Sequence, residues 1–495
     1  MSLALVCSRA LAGFTAPSVV VEVHLASGLP SLTLVGLPET EVRESRDRVR
    51  AALEQTGFAW PSRRITVNLA PADLPKESGR FDLPIAIGIL AAAGVIPDTV
   101  LRQYEFAGEL SLTGGLRPIR GALAMVWHAS QAGRTFILPS ASAQEAAYLP
   151  NATILAADDL QSVVSHLLGQ TSLTKAQAPT AQTILDYPDL AVVKGQQQAR
   201  RALEIAAAGS HSLLLIGAPG TGKTLLAERL AGILPPLPPA AALESAAMLS
   251  LAGLDLPPLG QRFLRRPHHS ASSAALVGGG SHPRPGEISL AHQQVLFLDE
   301  LPEFQRPVLE TLREPLETGK IAIARAAQRV EFPCRFQLIA AMNPCPCGYH
   351  GHPTRACQCR PEQVRRYRQR LSGPLLDRLD LAVEVPALSE EELLQAPQGE
   401  SSAVVRARVA AAHQRQQARQ GCSNHDLDVA GIEQYCSAKE TAIPLLRQAI
   451  QRLQLSGRAY HRILQVARTI ADLHNEAEIS ASHVAEAIQY RRHLG

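Results

Sequence analysis

Gly217-Ala-Pro-Gly-Thr-Gly-Lys-Thr224 follows the apolar run Leu213-Leu-Leu-Ile216 and leads into Leu225-Leu-Ala-Glu-Arg-Leu230. A short buried strand, a glycine loop and a helix in that order form the context of a phosphate-binding loop, whose backbone amides and helix N-terminus cradle anionic oxygens. Gly217, Ala218, Pro219, Gly220, Thr221, Gly222, Lys223 and Thr224 are therefore expected to hold the phosphates of ATP. Lys223 would bridge the terminal phosphates and Thr224 would ligate Mg2+. A chance match to this pattern in a chain of this length has odds on the order of one in a hundred, before any demand on context.

About 75 residues downstream, Val295-Leu-Phe-Leu-Asp-Glu300 supplies an apolar strand ending in acids. Such endings are common and usually structural. Paired with a phosphate-binding loop they predict Asp299 holding Mg2+ and Glu300 polarising the attacking water. The following strand, Phe336-Gln-Leu-Ile-Ala-Ala-Met-Asn343, would bring Asn343 beside the γ-phosphate in a parallel sheet. Leu375-Leu-Asp-Arg-Leu-Asp-Leu381 sets Arg378 among acids, where a plain reading is a local ion pair of small value. These alternations predict an α/β fold with a parallel sheet, closed by helices from about residue 387 onward.

Outward from this core, residues 1–168 read as a separate α/β unit, with strands at Val19–Val23 and Ile65–Leu69 around a charged helix over 39–55. Residues 169–186 are polar and aperiodic, as a linker would be. Residues 187–386 form the nucleotide-binding unit. Within the all-helical 387–495, helices are expected at 390–394, 404–419, 443–453 and 458–473.

At 495 residues the chain is long enough for two to four domains. It is 46% hydrophobic and 19% charged, as expected of a folded globular protein. No run approaches the ~18 apolar residues needed to span a bilayer, and the N-terminus shows no leader, so the expectation is a cytoplasmic protein without a membrane partner. A formal net charge of +3 does not announce a nucleic-acid binder, so that case must rest on local clusters. Two such clusters stand out. The stretch 257–291 carries Arg262, Arg265, Arg266 and Arg284 around Gly278-Gly-Gly280. Lys320–Arg325 and Arg329–Pro333 read as a hairpin. Arg265, Arg266, Arg284, Lys320, Arg325 and Arg329 are candidate contacts to DNA phosphates, giving salt-dependent, sequence-independent binding. The plainer reading of the first is a flexible glycine loop.

Eight cysteines in a chain without a secretion signal point to reduced or metal-bound thiols. Cys345-Pro-Cys347 and Cys357-Gln-Cys359 place four thiols within fifteen positions, a set suited to tetrahedral Zn2+ in a bracing role. Reduced thiols that merely fill a loop are the other reading.

Taken together, Val193-Lys-Gly-Gln196, the phosphate loop, Pro267-His-His-Ser-Ala-Ser272, Pro285-Gly-Glu-Ile-Ser-Leu290, 336–347 and Leu371–Arg378 resemble the magnesium-chelatase-like branch of AAA+ ATPases, and within it the ComM/YifB family. The resemblance runs over nearly the whole chain. It implies a homo-hexamer and a catalytic set of Lys223, Glu300, Asn343, Arg378 and Arg458. Asn343 would be the first sensor, Arg378 a finger reaching a neighbour's nucleotide, and Arg458 the second sensor. Arginines 365, 366, 368 and 370 rival Arg378, and Arg462 rivals Arg458. The resemblance further implies an ATP-dependent motor on single-stranded or branched DNA, working with recombination proteins on DNA taken up in natural transformation. An ATP-driven chelatase or protein-remodelling subunit is the competing reading.

The segment 106–121, with 75–84 upstream, resembles a Lon-protease-like fold. Asp82 stands where that protease's serine belongs and Leu123 where its lysine would be, so proteolysis is not expected. Lys76 and Ser78 do not restore the pair.

Overall fold

The computed structural model describes residues 3–36, 40–74, 76, 78–178, 185–280, 283–325, 328–395 and 397–492. Its two large sheets differ in how they are made. The first is eight-stranded and mixed, in the order Thr174–Lys175, Ile154–Ala157, Thr135–Pro139, Tyr104–Phe106, Leu3–Arg9, Ser18–Ala26, Arg64–Ala70 and Ser31–Val35. Period-2 alternation in Ser18–Ala26 and Arg64–Ala70 turns Val19, Val21, Val23, Ile65, Val67 and Leu69 inward. The wholly buried helix Asp82–Ala92 covers that face. Gly88 lets it approach, since a Cβ there would come within 2.5 Å of Val23 Cγ2.

The second sheet is five-stranded and parallel, in the order Leu264–Arg265, Val295–Leu298, Gln337–Met342, Leu213–Ile216 and Leu381–Glu384. Leu213–Ile216 and Val295–Leu298 within it are continuous apolar runs because helices cover both faces. Gln197–Gly209 and the C-terminal helices Ser402–Gln420 and Gly457–Leu473 lie on one side and share a single apolar core. The α/β class with a helical C-terminal region is thus observed. Helices at Thr40–Gln55, Ser402–Gln420, Ile443–Leu453 and Gly457–Leu473 coincide with the expected ones to within a turn; residue 39, taken as the start of the first, lies outside the described residues.

The polar stretch from 169 differs from a plain linker. Thr174–Lys175 pairs antiparallel with Ile154–Ala157 and forms the sheet's edge, because extended polar backbone needs only the ladder and not an apolar face. Residues 179–184 of the expected linker lie outside the described residues. The two halves meet across an apolar seam. Helix Ala122–Gln131 packs on Pro239–Ala252, Ala246 and Ala247 sink into the cluster around Leu123 and Met125, and the Gly121 amide donates to Ser250 O at 3.0 Å.

The glycine triplet is not a slack loop. Gly278–Gly279 pairs with Arg284–Pro285, and a Cβ on Gly278, whose φ is +101°, would strike the Arg284 carbonyl.

Candidate functional site

Parallel strands end together, and the three central ones carry the expected groups at their carboxyl ends. Ile216 is in register with Met342 and Leu298 with Ala340, so the loop from 217, Asp299 and Asn343 converge. The loop's shape needs its glycines. Gly220 and Gly222 have φ of +79° and +92°, and a Cβ on Gly217 would collide with the Val385 carbonyl. Lys223, 8% exposed, donates to the carbonyls of Gly217 and Ala218 at 2.7 and 2.8 Å and to Asn343 Oδ1 at 3.2 Å. Burial lowers its pKa, while Asp299 and Glu300 pull it back up. Thr224 Oγ1 donates to Asp299 Oδ2 at 2.9 Å, so the hydroxyl and carboxylate expected on Mg2+ already touch. Glu300 sits in the left-handed region at φ +53°, an uncommon conformation for a residue with a Cβ.

Two side chains that sequence reading placed elsewhere, or did not single out, enter this site. Arg266, expected on DNA phosphates, instead reaches Asp299 Oδ2 at 2.6 Å and Glu228 at 3.4 Å. His269 Nδ1 lies 3.4 Å from Glu300 Oε2. Both follow the short strand Leu264–Arg265, which pairs beside Val295–Leu298 and so delivers what comes after it to the acidic end. The Pro267-His-His-Ser stretch carried that signal only as part of a family resemblance. Arg265 is also engaged, in a two-pronged pair with Glu287 at 2.6 and 2.8 Å. Arg284 is exposed, as are Lys320 and Arg329 on the hairpin of Lys320–Arg325 and Gln328–Pro333. The hairpin buries Ile321, Ile323 and Phe332 on its other face. The side chain of Arg325 lies outside what is described.

Arg378 and Arg458 are brought together on one carboxylate, and neither bonds a residue of 217–224. Arg378, 9% exposed, bonds the Pro374 carbonyl at 2.7 Å and Glu317 Oε2, while Arg458 Nη2 meets Glu317 Oε1 at 2.6 Å. The Arg378 hydrogen bond holds the Glu317 carboxyl below its ordinary value. Glu317 has no local sequence signal, since its partners lie 61 and 141 residues away. Three of the five rival arginines have other occupations. Arg370 pairs with Glu303 at 3.0 Å, Arg368 leans on the Pro344 carbonyl at 3.4 Å, and Arg462 meets the buried Asp380 at 3.1 Å. Burial would raise the Asp380 carboxyl, but Arg462 and His425 hold it well below the usual carboxylate range.

The four cysteines form one cluster. Cys345 Sγ lies 3.4 Å from Cys347 Sγ and 3.7 Å from Cys357 Sγ, Cys347 and Cys357 are 3.6 Å apart, and all four sulfurs fall within 4.8 Å of one another. Sulfurs about 2.3 Å from a tetrahedral Zn2+ would be separated by roughly 3.8 Å, so the set fits that ion. Backbone N–H groups of Tyr349 and Gln358 hold the Cys347 thiol down to about 6. Cys357 accepts from Cys359 N–H, yet desolvation and the neighbouring thiols push it up to about 12. Gly348, inside the cluster, abuts the phosphate loop so closely that a Cβ would collide with Pro219.

In the N-terminal half, Asp82 is fully buried. It accepts from Ser45 Oγ, from Arg48 Nε at 2.8 Å and from the Leu110 amide at 3.2 Å. Lys76 Nζ donates to the Pro71 carbonyl and Ser78 Oγ accepts from Arg80 Nε at 2.9 Å. Pro75, at the head of the upstream stretch, lies outside the described residues.

Three family models match. "Magnesium chelatase, subunit ChlI" covers 189–393, "Subunit ChlI of Mg-chelatase" covers 21–142, and "Magnesium chelatase, subunit ChlI C-terminal" covers 399–491. The chain is 51% identical to the uncharacterized protein YifB of Salmonella typhimurium, across 99% of this chain and 97% of that protein. It is 50% identical to the competence protein ComM of Haemophilus influenzae, across 99% and 98%. A magnesium-chelatase 38 kDa subunit from Cereibacter sphaeroides is 26% identical over 32% of this chain and 53% of its own length.

Proposed function

The chain belongs to the ComM/YifB family of magnesium-chelatase-like AAA+ proteins, and from that membership we propose that it is an ATP-driven DNA motor of the competence type, promoting branch migration as incoming DNA is integrated by recombination. The observation that carries the ATPase part is the meeting of Lys223, Asn343, Thr224 and Asp299 at the ends of adjacent parallel strands.

In this reading the loop 217–224 cradles the phosphates and Thr224 and Asp299 hold Mg2+. Bound Mg2+ would neutralise charge developing on the phosphate oxygens. Releasing the Gly217 and Ala218 carbonyls lets Lys223 meet the terminal phosphates, and Asn343, bonded to that ammonium, orients the attacking water. Glu300 accepts the water's proton. Because Arg378 and Arg458 bond Glu317 and no residue of 217–224, they are assigned to the nucleotide of a neighbouring subunit in a homo-hexameric ring. Exposed Lys320, Arg329 and Arg284 are assigned to DNA phosphates. Cys345, Cys347, Cys357 and Cys359 would hold Zn2+ as a brace between Asn343 and Pro219. No helix among the described residues is long and apolar enough to cross a membrane, in keeping with a cytoplasmic protein.

A chelatase or protein-remodelling role is the second reading, favoured by the family models. The full-length match to a competence protein, against a match over 32% of the chain to a chelatase subunit, supports the DNA reading. The test is migration of a synthetic three-stranded junction with ATP and Mg2+, comparing wild type with Glu300→Gln. Strand release by wild type alone is expected. Intact junctions despite rapid hydrolysis would favour remodelling of protein.

A further inference from the structure

Three charged groups from three separate elements meet at one point, and the carboxylate among them stands at the root of the hairpin. Glu317 lies in the last turn of helix Arg313–Thr318, and Lys320 begins the hairpin strand. Gly319 joins them at φ +66°, and Thr318 Oγ1 ties the corner by donating to Glu314 O at 2.9 Å and accepting from the Lys320 amide at 3.2 Å. Arg378 comes from the turn before strand Leu381–Glu384, and Arg458 from the first turn of helix Gly457–Leu473 in the helical region.

The carboxylate is shared edgewise, one oxygen to each guanidinium. Glu317 is 47% exposed and Arg458 58% exposed, so an anion from outside the chain can reach the pair. Arg378 keeps one buried donor, Nε, without a hydrogen-bond partner. A buried unsatisfied donor is costly, and a second anion beside it would relieve that cost.

We propose that Glu317 is a positioning residue that couples the two arginines to the hairpin. This rests on the motor reading above, in which the arginines face a neighbour's nucleotide and the hairpin touches DNA. A triphosphate presents more negative charge than one carboxylate and has oxygens enough to accept from both guanidiniums. When it arrives, the arginines turn from Glu317 to the γ-phosphate and the last turn of Arg313–Thr318 loses its two anchors. The corner at Gly319 is then free to swing Lys320 and the strand behind it. When phosphate leaves, Glu317 recaptures both arginines and draws the hairpin root back. The nucleotide state of one subunit is thereby read by the DNA-contacting element of the next.

The experiment compares the Kd for a fluorescent single-stranded oligonucleotide in ADP with that in a non-hydrolysable ATP analogue, both with Mg2+. Wild type is expected to show a difference of roughly fivefold or more between the two nucleotides. Glu317→Gln keeps shape and hydrogen bonding but loses the charge, and Glu317→Asp keeps the charge on a shorter arm. The Gln variant should bring the ratio close to one, with its melting temperature unchanged; the Asp variant should fall between. A role confined to folding would lower the melting temperature and leave the ratio alone. A Gln variant whose ratio equals that of wild type overturns the coupling. Wild type that binds the oligonucleotide in neither nucleotide overturns the DNA reading itself, whatever Glu317 does.

Discussion

Each half of the chain holds carboxylates that the sequence singles out, and the two places are treated in opposite ways. Asp82 is sealed. Ser45, Arg48 and the Leu110 amide satisfy it from within, and no surface reaches it. Asp299 and Glu300 sit at an open sheet end, 20% and 52% exposed, touched by Thr224, Arg266 and His269. A carboxylate whose lone pairs are all answered internally, with no route to solvent, can only hold a fold together. One whose partners are a half-exposed arginine and a hydroxyl suited to a metal can exchange them for a ligand. The difference lies in accessibility and in how completely the group is satisfied, and not in the type of residue.

Three changes break or sharpen this contrast. The largest effect is expected from Glu300→Gln, which should reduce hydrolysis by roughly a thousandfold while ATP binding and melting temperature stay near wild type, read by phosphate release and nucleotide fluorescence. Loss of stability in that variant would place Glu300 with the sealed kind. Next comes Asp82→Ala, which strips Arg48 of a buried partner and should cost about 3 kcal/mol of stability of the N-terminal half by denaturant melting. Hydrolysis per folded molecule should hold, and a fall in it would give Asp82 a part in the chemistry. Smallest is metal removal. A chelator with a colorimetric zinc dye should register about one ion per chain and lower the melting temperature by roughly 5 °C. No ion released, with no change in melting, would leave the four thiols as packing.

The open site was largely legible in the sequence because its parts are local. A glycine loop between a strand and a helix, and acids at the end of an apolar run, are each written within eight residues. The parallel sheet then brings them together without further information. What escaped was what depends on pairing across elements. Arg266 read as a DNA contact because a run of arginines looks alike whether it faces solvent or a carboxylate. Only the parallel pairing of Leu264–Arg265 with Val295–Leu298 turns it toward Asp299. Glu317 is one acid among many until the chain is folded. Thr174–Lys175 was hidden for the opposite reason, since an edge strand needs no apolar face to mark it. Asp82 was legible as a departure from a protease pattern, but its sealing by Ser45 and Arg48, from a helix some thirty-five residues earlier, was not.

The seam where helix Ala122–Gln131 lies on Pro239–Ala252 bears on how such a chain could be divided. Its contacts are chiefly small apolar side chains in close fit, and one backbone hydrogen bond at Gly121 adds direction. Two pieces made separately, one carrying each sheet, would each expose a greasy stripe complementary to the other. They would therefore find each other when expressed together, and would tend to clump when expressed alone.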